Sequence, residues 1–100
     1  MIYHATTLAD WQQQANAATY EAASLHLHTE RFIHLSEAHQ VAGVLHRYYQ
    51  NTPDLLLLHV DPDKLAAELK YEPATSNKLF PHLYGPIDKI AIVEVEPISL

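Results

Sequence analysis

The chain has 100 residues, 48% of them apolar, and a formal charge of −6 with six scattered basic residues, so broad electrostatic binding to DNA or RNA is not expected. That length suits a single domain over residues 1–100, burying roughly two thirds of the surface its unfolded form exposes. There is no cysteine, which removes disulfide frameworks, thiolate nucleophiles and zinc–thiolate sites and fits a cytoplasmic protein, and no apolar run approaches the about 20 residues needed to span a membrane.

Ile2–Thr6 reads as a first strand. Thr7 and Asp10 then have the spacing of a capping box, and Leu8, Trp11, Ala15 and Ala18 recur at helical intervals, predicting an amphipathic helix over residues 8–18. Residues 19–27 fit an extended segment or a loop. Arg31–Leu35 reads as a second strand. Ser36 follows as an N-cap, with Glu37 in the first turn of a helix over residues 37–50 whose apolar face carries Ala38, Val41, Val44, Leu45 and Tyr48.

Asn51-Thr52-Pro53-Asp54 predicts a turn, and the unbroken apolar run Leu55–Val60 a central strand covered on both faces. Asp61-Pro62-Asp63 ends that strand and predicts a short helix over Leu65–Leu69. Residues 71–78 read as a polar connection, 79–87 as irregular or short strand broken by Pro81, Gly85 and Pro86, and 89–96 as a last strand ending at Pro97. The order β-α-β-α-β, with further short strands, predicts an α+β domain.

The eight histidines carry whatever chemistry the chain has. His39 and His46 read as surface residues of the second helix, and His59 as a satisfied core or edge histidine. His26 and His28 would share one face of an extended segment and could hold a metal, but no third ligand follows at a recognisable spacing, so a polar stretch is the plainer reading.

His4 and His34 differ in context, since each lies on a strand and is followed two residues later by a hydroxyl, Thr6 or Ser36. His82 precedes Tyr84-Gly85-Pro86, where glycine and proline fix the backbone path. Imidazoles so placed can donate to a ligand or shuttle a proton at a pocket rim. Equally, they can be buried rings that fix the sheet. Glu72, held in a loop by Pro73, is the foremost carboxylate, with a solvated glutamate as the alternative. Glu30 and Arg31 could pair with each other or face a ligand phosphate.

Taken together, Ile2-Tyr3-His4-Ala5-Thr6, Ser24-Leu25, Glu30-Arg31-Phe32-Ile33-His34-Leu35-Ser36, Asp61-Pro62-Asp63-Lys64-Leu65, Tyr71-Glu72-Pro73 and Phe80-Pro81-His82-Leu83-Tyr84-Gly85-Pro86 resemble a family of bacterial domain-of-unknown-function proteins of about this length. That family is placed in the ADP-ribosyltransferase-like fold superfamily. The resemblance implies a split β-sheet with two main helices and a cleft for NAD or a related nucleotide. In it Tyr3, His4, Thr6, Ser36 and Gly85 would contact the ligand, and His34, His82, Tyr84 and Glu72 would act near the reacting atoms. The Phe32–Ser36 segment is also similar to the His-Leu-Ser strand of RNA 2′-phosphotransferases. Ala5 stands where NAD-using relatives carry glycine, and no last-strand glutamate matches a catalytic one. The competing reading is a non-catalytic module binding a small metabolite or a protein partner in the same cleft.

Overall fold

Six residues without a formal charge, Leu55–Val60, form the middle strand of an antiparallel sheet, and the computed structural model, which describes residues 1–22 and 30–99, builds outward from them. This strand, β4, is flanked by β1 (Ile2–Thr7) and β8 (Ile92–Ile98). The register places Ile2 opposite Val60 and His4 opposite Leu58. A second antiparallel sheet has the order β3-β6-β5, made from Ile33–His34, Leu79–Tyr84 and Glu68–Pro73. Two short strands, β2 (Thr19–Tyr20) and β7 (Ile87–Asp88), pair with each other. The fold is α+β and mostly antiparallel.

Side-chain alternation explains how both sheets serve one core. Successive residues of a strand face opposite sides. On the first sheet Ile2, Leu58 and Val60 turn inward; on the second, Ile33, Leu35 and Leu83 do, joined by Tyr20, Ile87 and Ala91. Each such fully buried aliphatic side chain contributes about 1.5–3 kcal/mol. The opposite face of β4 is also covered: Leu55 and Leu57 are buried, and Leu57 lines a small void with Val41, Val44 and Leu45 of helix α2 (Val41–Tyr48). The expectation of a strand enclosed on both faces therefore holds.

Helix α1 spans Leu8–Gln13, with Thr7 as its N-cap accepting from the Asp10 backbone N–H at 3.2 Å. It is shorter than the predicted 8–18. The Gln14 side chain both donates to the Glu21 carbonyl at 2.8 Å and accepts from its N–H at 2.7 Å, turning the chain back into β2. The second helix also starts later than expected. A single 3-10 turn occupies Ala38–Gln40, capped by Glu37, whose N–H donates to Gln40 Oε1 at 2.9 Å. Ser36 is not the cap because its backbone is paired with Tyr3, with two 2.8 Å bonds.

Three further expectations are corrected. No helix forms over 65–69: a 3-10 turn at Pro62–Lys64 ends in extended Leu65, Ala66 N–H is taken by Asp88 at 2.8 Å, and β5 begins at Glu68. The supposed polar connection after Tyr71 begins as strand, with Tyr71, Glu72 and Pro73 opposite Pro81, Phe80 and Leu79. The last strand starts only at Ile92, after a 3-10 turn at Lys89–Ala91, and runs through Pro97 to Ile98, which an edge strand tolerates.

Pro81 lies inside β6, the central strand of its sheet. Its carbonyl accepts from Leu35 N–H at 2.9 Å. The N–H it lacks would face the same side, where β3 has already stopped at His34. The proline thus limits β3 to two residues without leaving a donor bare. No helix among the described residues is long and apolar enough to cross a membrane.

Candidate functional site

The two sheets are stitched by the isolated Tyr3–Ser36 bridge, and beyond it β1 and β3 part around an open cleft of about 830 Å³. This size falls within the range of about 300–1,000 Å³ for small-molecule sites. The same alternation that sends Ile33 and Leu35 into the core sends Phe32, His34 and Ser36 toward the cleft; in β6 it does so for His82. Tyr3, His4, Thr6, Ser36, His34 and His82 all line it. Among the described residues, the buried polar ones (Thr6, Ser36 and His82) all belong to this wall.

His4 reaches across the split: its Nδ1 lies 2.9 Å from the His34 carbonyl oxygen. A carbonyl only accepts, so Nδ1 carries the hydrogen and Nε2 of the neutral ring is left as an acceptor. Burial lowers the pKa of His4, partly opposed by this bond and by the charge of Asp10. His34 is pushed down to about 4, first by desolvation and then by His82 and His4. These two rings are neutral at pH 7.

Glu72 and Tyr84 stand behind His82 rather than on the cleft wall. The hairpin sets Glu72 opposite Phe80, two residues from His82 on the same face. Glu72 Oε1 accepts from His82 Nδ1 at 2.9 Å and from the Tyr84 hydroxyl at 2.5 Å. Those bonds, Tyr84 first, lower the Glu72 pKa; the same bond raises that of Tyr84. Phe32 stacks on the His82 ring, with centroids 4.0 Å apart and planes 14° from parallel. His82 Nε2 is buried and has no hydrogen-bond partner.

Gly85 does not line the cleft. Its φ is +157°, and a Cβ there would lie 2.7 Å from the Cβ of Ala67, so the glycine serves a close backbone approach.

The cleft also holds residues that the sequence did not single out. The fully buried Tyr20 donates its hydroxyl to Asp10 and lies 2.6 Å from the Thr6 hydroxyl. Burial and the Asp10 carboxylate raise the Tyr20 pKa. Tyr49 donates to the Ala5 carbonyl at 3.2 Å. Asp10 looked like a helix cap only, and Tyr20 fell in an ambiguous stretch; nothing in their spacing marks them. Glu30 lines the cleft as well, while no lysine or arginine does among the described residues. Arg31 is not among the lining residues; its charge acts on Tyr84, behind His82.

Among the described residues, no grouping with metal-ligand spacing includes these rings. Among the described residues, the His and acidic side chains whose ligand atoms fall within 4.8 Å of one another are His59, Glu94 and Glu96, on β4 and β8. There His59 Nε2 pairs with Glu96 at 2.7 Å, and its ring meets the Tyr3 ring edge-on at 4.9 Å, so the histidine is satisfied as expected. His26 and His28 lie outside the described residues.

Comparisons with known proteins agree on kinship and name no activity. Residues 5–95 match the family described as "Protein of unknown function (DUF952)". The fold is similar to the crystal structure of protein CC0527 from Caulobacter crescentus, with a TM-score of 0.88 at 27% identity, covering 99% of this chain and 86% of that one. The solution NMR structure of CC0527 gives a TM-score of 0.82 at 27% identity, with 99% and 84% covered. The comparison with curated proteins found no match.

Proposed function

This chain belongs to the DUF952 family of proteins of unknown function, and we propose that its cleft binds the ribosyl part of a nucleotide, with NAD and ADP-ribose as the first candidates. The observation that carries this reading is the convergence of His4, His34 and His82, from three distant segments, on one open cavity. Neutral imidazoles exchange hydrogen bonds with hydroxyls without demanding an anion. His4 Nε2 accepts from a ribose hydroxyl, while His34 and Ser36 form the facing wall.

Among the described residues the cleft lining has no lysine or arginine and carries Asp10 and Glu30, so the phosphates of such a ligand point out of the cleft toward solvent. The division into sheets β1-β4-β8 and β3-β6-β5, parting beyond one bridge, supports an ADP-ribosyltransferase-like split sheet. Calorimetric titration of NAD and ADP-ribose tests the reading. Heat is expected with the wild type and weakened by His4→Ala and His34→Ala; absence of heat from the wild type overturns it.

That the described lining carries no lysine or arginine favours one competitor, a binder of an uncharged metabolite without turnover. In that case a ribose-bearing nucleoside raises the melting temperature more than NAD does, and neither is consumed.

A further inference from the structure

We infer that His82 Nε2 is the proton acceptor of the cleft, built to take the hydrogen of a ligand hydroxyl or of water. The inference deepens the nucleotide reading by naming the atom at which such a ligand would be activated. Three observations meet at this ring. It is 4% exposed, yet it lines the cleft. Its Nε2 has no hydrogen-bond partner, and a buried polar atom in that condition is a deficit that a donor from a ligand fills. Its Nδ1 is tied at 2.9 Å to Glu72, which also accepts from Tyr84 at 2.5 Å.

The tautomer follows from the partners. An ionised carboxylate has no hydrogen to give, so Tyr84 and His82 must both donate to it. The neutral His82 ring then carries its hydrogen on Nδ1 and a lone pair on Nε2. Phe32, stacked 4.0 Å away, and the Glu72 bond fix the ring plane and its rotation. A carboxylate that orients an imidazole and then holds the imidazolium is the arrangement of a general base.

The step balances within these groups. The O–H bond of the ligand or water breaks, the proton forms an N–H bond at Nε2, and the oxygen keeps the electron pair. The positive charge now on the ring is held by Glu72. No residue of the chain need supply the nucleophile, because the activated oxygen is that of the ligand or water.

The test is long-range proton–nitrogen NMR on protein carrying nitrogen-15 in its histidines, with His82 assigned by its loss in His82→Asn. In the free wild type, the hydrogen is expected on Nδ1 alone. Glu72→Gln is expected to mix the two tautomers, and Tyr84→Phe, which keeps the carboxylate, to leave Nδ1–H intact. Methanol serves as a bare hydroxyl probe and should shift the Nε2 resonance of the wild type while leaving Nδ1 in place; ADP-ribose should do the same. A hydrogen on Nε2 in the free protein, or an Nε2 that methanol leaves unmoved, overturns the inference. Should methanol shift Nε2 while ADP-ribose shifts no cleft resonance, the proton acceptor stands and the nucleotide reading falls.

Discussion

His4 and His34, thirty positions apart, are joined across the mouth of the split sheet by a 2.9 Å bond from an imidazole nitrogen to a backbone carbonyl. The bond fixes the orientation of one ring and, through the backbone, the position of the other. His4→Ala removes it and leaves the His34 carbonyl short of a donor. We expect a loss of about 1 kcal/mol in urea unfolding, the ordinary worth of such a bond. An unchanged midpoint would mean that the bond does not hold the split.

The neutral rings make stability depend on pH. His34 titrates at about 4 in the folded chain against 6.5 for a free imidazole, and His4 is lowered as well. Between those values the unfolded chain binds more protons. The contribution is therefore complete above pH 6.5 and lost as the pH falls toward 4. For the half-buried His34, after allowance for screening by water, it amounts to about 1–2 kcal/mol. His34→Gln should flatten that part of the profile; an unchanged slope would contradict the assignment.

Gly85 tests the close approach of β6's end to Ala67. An alanine there brings its Cβ to 2.7 Å from another Cβ, at a φ of +157° that side chains rarely adopt. Gly85→Ala is expected to destabilise by about 1–3 kcal/mol in chemical denaturation, by overpacking and strain. A loss below about 0.5 kcal/mol, the scale of a neutral surface change, would mean that the backbone shifts freely.

Tyr20 anchors the floor of the cleft. Tyr20→Phe keeps the buried ring but removes one of the two hydroxyls that donate to Asp10, leaving only the 3.3 Å bond from Thr6. The expected loss is about 1–3 kcal/mol in thermal or urea unfolding, with the circular dichroism of the folded state preserved. No loss would show that the Thr6–Asp10 bond and water satisfy both groups.

Much of this architecture was legible where one physical cause dominates. Leu55–Val60 has no formal charge to expose and had to be enclosed; Thr7 and Asp10 cap a helix through a local bond. Likewise His34 and Ser36, two apart on an extended segment, stood out together, and they share the cleft wall while Ile33 and Leu35 turn to the core. What stayed hidden depends on register. Glu72 meets His82 and Tyr84 because β5 and β6 pair around a turn in which Ser76 and Asn77 take positive φ, and Ser76 and Asn77 gave no glycine signal for it. Tyr20 joins Asp10 and Thr6 only through the tertiary fold. Helix lengths were overestimated because side-chain bonds from Gln14 and Gln40 outweigh helical periodicity.

The space between β1 and β3 is the proposed ligand site. Amide NMR of the uniformly nitrogen-15-labelled protein, recorded as ADP-ribose is added, addresses this most directly. Saturable shifts centred on His4, Thr6, His34, Ser36 and His82 are predicted, and they should fade in His34→Ala. Shifts gathered instead around His59, Glu94 and Glu96, or none at saturating nucleotide, would contradict it.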